Sequence, residues 1–85
     1  MSQKFFPNES IFINASHPHP LNTQYKISIG QEKWDEIFVP VIKVQMVYNG
    51  VVAGRLSPSY PNGTTDYLKV HNAVVTLAKN HNIKL

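Results

Sequence analysis

The 85-residue sequence contains no cysteine. This absence excludes disulfide bonds, thiolate catalysis and metal sites with cysteine ligands, and it is compatible with a reducing compartment. No apolar run approaches the roughly 18 residues that a membrane-spanning helix needs. The first ten residues, MSQKFFPNES, lack the charged segment and apolar run of a secretion signal. We therefore expect a cytoplasmic protein without a membrane partner.

Charged residues are also scarce, at 15% of the sequence, whereas 42% of the residues are hydrophobic. This balance is typical of a folded chain, and 85 residues suffice for only one core. The net charge of +3 is compatible with contacts to phosphate groups. However, the eight cationic residues are spread through the chain. Only one of them, Arg55, is an arginine, the residue type that most often reads base edges. Nucleic acid is therefore a partner that we keep open but do not favour.

The chain divides into an N-terminal arm, residues 1–23, and a single α+β domain, residues 24–85. Three of the six prolines lie in the arm, together with the short apolar cluster Ile11-Phe12-Ile13. Two alternatives remain open for this cluster. It forms a short strand over about residues 10–14, or it belongs to an arm that docks on a neighbouring molecule.

Apolar and β-branched residues indicate the strands of the domain. Residues 25–29, YKISI, alternate apolar with polar and stop at Gly30, which is typical of a half-buried strand. Residues 41–48, VIKVQMVY, are rich in β-branched residues, and Asn49-Gly50 after them is the strongest short signal for a hairpin turn. We expect the returning strand over residues 51–57.

The segment between the first two of these strands gives an ambiguous pattern. Its charges and Trp34 suit a helical turn, but Pro40 disfavours a helical conformation at the residue before it. We therefore predict a loop over residues 31–38, anchored by the tryptophan.

A two-residue turn at Asn49-Gly50 determines which side chains of the hairpin share a surface. The more apolar surface, which should face the core, carries Tyr48, Met46, Val44, Ile42, Val51, Ala53, Arg55 and Ser57. Arg55 is thereby predicted to lie on the core side of the sheet. The opposite surface carries Lys43, Gln45, Val47, Val52, Gly54 and Leu56.

The C-terminal segment predicts an amphipathic helix over about residues 65–81. At 100° per residue, its apolar side chains fill about half of the cylinder, from Leu77 through Tyr67 to Leu68, and this arc includes His71. Ala73 is left among the polar residues of the other side.

These elements predict an α+β fold, a small antiparallel sheet of three to four strands with one C-terminal amphipathic helix packed on one face. Because the helix covers one face only, the other face or an edge strand remains free to bind a second copy. We expect a homodimer with Val47, Val52 and Leu56 in its interface.

The segment RLSPSYPNGTTD, residues 55–66, contains the candidate ligand site. Free N–H groups at a helix start favour anions, and Arg55 offers a forked donor. The candidate residues for an anion or a nucleic-acid phosphate are Arg55, Ser57, Ser59, Tyr60, Thr64, Thr65 and His71. In the alternative, which we favour, these residues form turns and caps, and Arg55 pairs with Asp66 or a C-terminal carboxylate.

Metal binding and catalysis are not predicted. His17 and His19 each precede a proline and project apart in an extended segment. His71 and His81 lie about 15 Å apart along the helix, too far to share one ion. No serine occupies the strained G-x-S-x-G turn of hydrolases. We expect no metal, no cofactor and no catalytic residue, and a non-enzymatic protein that acts by association; an anion-binding module is the alternative.

Overall fold

The structure, a computed structural model, describes residues 4–85 as one antiparallel sheet with a helix on one of its faces. The strands follow one another across the sheet in chain order: β1 (Phe5–Asn14), β2 (Thr23–Trp34), β3 (Ile37–Tyr48) and β4 (Val51–Ala53). The helix α1 spans Asp66–Asn80. The predicted α+β class, with its antiparallel sheet and C-terminal helix, is confirmed.

Of the two alternatives for the N-terminal cluster, the structure contains the strand. β1 is longer than residues 10–14 and pairs with β2 from Phe5 to Asn14, with a register shift between Pro7 and Glu9. Gly30 permits a close approach of the two backbones, since a Cβ at this position would lie 2.3 Å from the carbonyl oxygen of Phe6. Residues 5–14 of the arm are therefore built into the sheet, residues 15–22 connect β1 to β2, and residues 1–3 lie outside the described residues.

The prediction of a loop over residues 31–38 is wrong. β2 and β3 each run for 12 residues and meet at the two-residue turn Asp35-Glu36, where Asp35 has a φ of 55°. The result is a long hairpin, and Trp34 and Ile37 are paired across its two strands next to the turn.

Pro40 is tolerated inside β3 because its nitrogen points away from β2. The residues that flank a two-residue turn form a hydrogen-bonded pair, so Ile37 bonds to Trp34 and Tyr48 bonds to Val51. Bonding direction alternates along a strand, which directs the nitrogen of Pro40 to the outer side. β4 pairs only with residues 46–48, so no ladder hydrogen bond is lost at Pro40.

The hairpin at Asn49-Gly50 is confirmed, with φ values of 50° and 79° at its two turn residues. Its returning strand is shorter than predicted, because the chain turns after Ala53. The N–H of Leu56 donates to the carbonyl of Ala53 at 3.2 Å in this turn. Arg55 is therefore exposed in a connection and not on the core side of the sheet, which corrects the prediction.

The core lies between α1 and the middle of the sheet. Its fully or almost fully buried side chains are Tyr25, Ile27, Ile29, Met46, Val70, Ala73 and Leu77. Side chains on the same face of β1 and β3, among them Ile11 and Val44, pack around this cluster. The prediction that one face of the β3–β4 hairpin turns to the core holds for its β3 residues and for Ala53 of β4.

The buried face of α1 is rotated by roughly a quarter turn from the predicted arc. Asp66 and Ala73 are buried, whereas Tyr67, Leu68 and His71 are exposed. The reason is a polar anchor at the helix start, described below, which turns the carboxylate of Asp66 into the protein. The helix thus keeps an apolar flank that the sheet does not cover.

Candidate functional site

α1 is too short to cover the whole sheet. A 15-residue helix is about 22 Å long, whereas a 12-residue strand reaches about 40 Å. α1 begins beside Tyr25, near the start of β2, and the chain after it reaches Ile29. Farther along the hairpin, Phe38 and Pro40 are exposed to solvent.

A cleft of about 460 Å³ opens where the helix ends, and we call it the distal cleft. Its apolar walls include Ile29 and Ile42 on the sheet and Ile83 after the helix. In the described part of the chain, no lysine or arginine lines it. Its size and apolar lining are those of surfaces that bind another molecule.

Two phenylalanines extend this apolar surface toward the hairpin end. Phe6 pairs with Gln31, and Phe38 pairs with Lys33. Gln31 and Lys33 are two residues apart in β2, so their side chains and those of their partners lie on the same face, the helix side of the sheet. The ring centroids are 5.9 Å apart, and Phe38 is 56% exposed. We call Phe6, Phe38 and Pro40, together with the distal cleft, the distal patch.

Within residues 4–85, two of the five acidic side chains contact a basic side chain. Glu9 lies 2.5 Å from His81, which joins the bulged part of β1 to the end of α1. Glu32 accepts hydrogen bonds from Lys43 and from Trp34, and these donors lower the pKa of Glu32 below its ordinary value. Both carboxylates therefore have structural partners.

The turn of the hairpin holds the carboxylates without partners. Asp35 and Glu36 are exposed, and within residues 4–85 neither forms an ion pair or a side-chain hydrogen bond. They stand beside Trp34 and Ile37, both exposed on the face opposite the distal patch. The hairpin end is thus acidic and apolar in a chain of net charge +3.

The second polar feature is a buried cluster around Asp66, which is only 1% exposed. Its carboxylate accepts the N–H of Ser16 at 2.9 Å and the hydroxyl of Ser16 at 2.5 Å. It also accepts the hydroxyl of Tyr25 at 2.8 Å. These bonds fasten the β1–β2 loop and β2 to the start of α1.

The hydroxyl of Tyr25 has one proton and three polar atoms within reach, of which Nε2 of His19, at 3.3 Å, is the most distant. The hydroxyl lies 2.8 Å from the Asp66 carboxylate and 2.7 Å from the carbonyl of Ser59. Because Nε2 of His19 is 2.9 Å from the same carbonyl, we assign the proton of Nε2 to that contact. Tyr25 then donates to the carboxylate, which satisfies all four groups.

The two acids of this cluster are poorly suited to proton transfer near neutral pH. Burial acts to raise the pKa of Asp66, but the hydrogen bonds from Ser16 and Tyr25 outweigh it and leave this pKa below its ordinary value. Burial and the neighbouring Asp66 raise the pKa of Tyr25. Because an efficient general acid or base has a pKa near the working pH, the cluster is better suited to fastening the fold than to catalysis.

Part of the predicted anion site is brought together by ring contacts. Tyr60 stacks on Tyr25 at 5.1 Å between centroids and meets Tyr67 edge-on at 5.3 Å. Tyr67 in turn lies 6.1 Å from the ring of His71. Ser59 joins this group through its backbone carbonyl.

The other candidates do not join a common site. Arg55 and Ser57 are exposed, and within residues 4–85 Arg55 has no ion pair, so the predicted pairing of Arg55 with Asp66 is wrong. Thr64 is engaged in the turn, since its hydroxyl donates to the carbonyl of Pro61 at 2.8 Å. Thr65 occupies the N-cap position without a side-chain cap hydrogen bond.

The predicted interface residues differ in what they offer to a partner. Val47 is 2% exposed, whereas Val52 and Leu56 are 38% and 55% exposed. Leu56 lies in the turn after β4 and not on the sheet. The open face near Val47 therefore presents little apolar surface from that residue.

The sequence reasoning missed Ser16 and Tyr25 as partners of Asp66, and it missed His19 as a partner of the Ser59 carbonyl. It also missed Phe6 and Phe38 as neighbours. The only local signal for the aromatic pair was the density of large apolar residues on both sides of Asp35-Glu36.

Within residues 4–85, no three histidine or acidic side chains converge in a way that would hold a metal ion. The same residues include no helix with the length and apolar character to cross a bilayer. Comparison of the chain with protein-family models, curated proteins and solved structures gave no match. Its function is therefore inferred below from the geometry of its own residues.

Proposed function

We propose that this protein is a non-enzymatic association module that forms a homodimer through the distal patch. One observation supports the proposal above all: the helix side of the β2–β3 hairpin stays uncovered and largely apolar, with Lys33 beside Phe38 as its exposed cation. Phe38 and Pro40 are exposed there, and the one ionisable residue of the cleft, His81, is already bound to Glu9.

A second copy is the partner that suits this surface. The chain carries a net charge of +3, so contact between copies elsewhere tends to bring lysines together. No lysine or arginine among the described residues lines the distal cleft, and depletion of charge is typical of interface cores. A patch placed on a two-fold axis meets itself, which buries Phe6 and Phe38 of both copies.

The edge of β3 is a less favourable route to a dimer. The nitrogen of Pro40 points to the outer side of β3, where a neighbouring strand would pair. Because this nitrogen carries no hydrogen, it cannot donate a hydrogen bond to that strand. The predicted interface of Val47, Val52 and Leu56 is also less favourable, because Val47 is buried within its own chain.

The size of a stable interface indicates that more than the cleft is involved. A specific interface takes about 800 Å² from each partner, roughly an eighth of the 6062 Å² accessible surface of the described chain. We expect the contact to extend from Phe38 across the cleft to the apolar flank of α1 near Val75. We propose a cytoplasmic location, because a chain without cysteine forms no disulfide bonds that a reducing compartment would break.

Sedimentation equilibrium from about 1 µM to about 1 mM tests the proposal by covering the usual range of weak and moderate affinities. The test variant is Phe38→Asp and its matched control is Phe12→Asp, because Phe12 is 51% exposed but lies on the open face. We expect the wild type and the control to dimerise, and Phe38→Asp to weaken the dimer at least about tenfold. A wild type that remains monomeric at the highest concentration would contradict the proposal.

A further inference from the structure

We infer that the two copies dock so that the Asp35-Glu36 turn of each lies against the C-terminal end of α1 in the other, near Lys79 and Lys84. This arrangement rests on the homodimer proposed above and specifies its orientation. It is an electrostatic match between exposed side chains of opposite charge that form no ion pair within residues 4–85.

Opposite charges flank the distal patch on its two sides. Asp35 and Glu36 lie at the end of the hairpin, while Lys79 and Lys84 lie at the end of α1, and Lys84 directly follows Ile83 of the distal cleft. All four side chains are exposed, and none forms an ion pair within residues 4–85. Each group is thus free to form an ion pair with a second molecule.

The placement of the two segments fits a two-fold axis. The turn and the cleft belong to the same end of the sheet, separated by the residues between Glu36 and Pro40, about 13 Å of strand. A rotation about an axis near Pro40 carries the turn of one copy over the cleft of the other, and the reverse contact forms at the same time. The two copies of Phe38, each two residues from Pro40, then lie on opposite sides of the axis within the contact.

Other cations on the hairpin do not remove this match. Lys33 is exposed and is paired with Phe38 on the neighbouring strand. Its backbone N–H donates to the backbone carbonyl of Lys4 at 2.8 Å, so Lys4 lies beside it. Both lysines moderate the negative potential of the turn, but within residues 4–85 neither is paired with Asp35 or Glu36. A parallel alignment of the copies would set turn against turn and repel, so the charges select the antiparallel one.

Charge reversal in mixtures tests the arrangement. The first variant carries Asp35→Asn with Glu36→Lys, because asparagine tolerates the φ of 55° at position 35. The second carries Lys79→Glu with Lys84→Glu. A control carries Lys26→Glu with Lys69→Glu, which makes the same charge change as the second variant away from the proposed contact. Circular dichroism verifies that each variant is folded.

We expect each of the two test variants alone to dimerise about tenfold more weakly than the control at low salt, since like charges then face each other. An equimolar mixture of the two should form a heterodimer, identified by its mass in native mass spectrometry, because both contacts then join opposite charges. Added salt should reduce the difference.

The outcomes separate this arrangement from the proposed function. If the wild type dimerises but the test variants behave like the control and their mixture shows no preference for the heterodimer, the orientation is wrong and the homodimer stands. If the wild type is monomeric throughout, the homodimer itself is wrong, and the orientation with it.

Discussion

The hydroxyl of Tyr25 lies 2.8 Å from the carboxylate of Asp66, two residues separated by 41 positions in the chain. This hydrogen bond joins the second strand to the first residue of the helix and sets which face of the helix is buried. Because α1 is anchored at this end, it covers the near part of the sheet and leaves the distal patch open. The internal fastening and the external surface thus have a common origin.

Removing the hydroxyl in Tyr25→Phe should destabilise the fold by about 1–3 kcal/mol, because the buried carboxylate loses one donor. Tyr48→Phe is the matched control, since Tyr48 is half-buried and its hydroxyl forms no hydrogen bond within residues 4–85. Urea unfolding measures both. Equal stability losses in the two variants would show that the contact between Tyr25 and Asp66 contributes nothing specific.

Acid should weaken the fold through Asp66. The pKa of this residue is lower in the folded protein than its ordinary value of about 3.9. Its charged form therefore contributes stability that is complete above the unfolded pKa and is lost as the pH falls through the folded pKa.

We expect Asp66→Asn to be less stable than the wild type at neutral pH by about 1–3 kcal/mol. The difference should begin to shrink as the pH falls below about 4, where the carboxylate becomes protonated in the unfolded chain, and should continue to shrink toward the lower pKa of the folded protein. Denaturant unfolding from neutral pH to pH 3 measures it. The wild type retains a second acid-sensitive contact between Glu32 and Lys43, which is common to both proteins and cancels in the comparison. A difference independent of pH would refute the assigned role.

Gly30→Ala should disturb the pairing of β1 with β2. The added methyl group would lie 2.3 Å from the carbonyl oxygen of Phe6 and 2.8 Å from the Cα of Pro7, both backbone atoms that cannot rotate away. We expect a loss of about 1–3 kcal/mol from this overpacking. Gly54→Ala is the control, because nothing lies within 4 Å of its added methyl group and it should change stability by less than about 0.5 kcal/mol.

Arg55 should not mediate anion binding. The structure leaves Arg55 exposed without an ion pair among the described residues, and the buried carboxylate of Asp66 lies at the helix start. We expect phosphate to change the melting temperatures of the wild type and Arg55→Ala by the same amount. A larger increase in the wild type would revive the anion-binding alternative.

The central part of the sheet could be predicted from local patterns. Alternation over residues 25–29 and the Asn49-Gly50 turn are signals carried by neighbouring residues, and both proved correct. The end of the hairpin could not be predicted in this way. Pro40 lacks an N–H on one side of β3 only, and whether a partner strand lies on that side depends on the position at which β4 stops.

The site was less predictable than the fold because its contacts join distant segments. Periodicity placed Tyr25 on the core face, but no local pattern shows that its hydroxyl meets Asp66. The apolar arc of α1 was similarly broader than the surface that the sheet provides. The side chains of Tyr67 and Leu68 remained exposed because the buried Asp66 fixed the rotation of the helix.

Isotope-filtered NOE spectroscopy on a mixture of labelled and unlabelled protein tests the homodimer most directly. The filter removes contacts within one copy, including the one between the rings of Phe6 and Phe38. We predict that these rings show NOEs to protons of the unlabelled copy, and that Phe12 on the open face shows none. Intermolecular NOEs confined to Phe12 and Val52, or none at any attainable concentration, would contradict the proposed dimer.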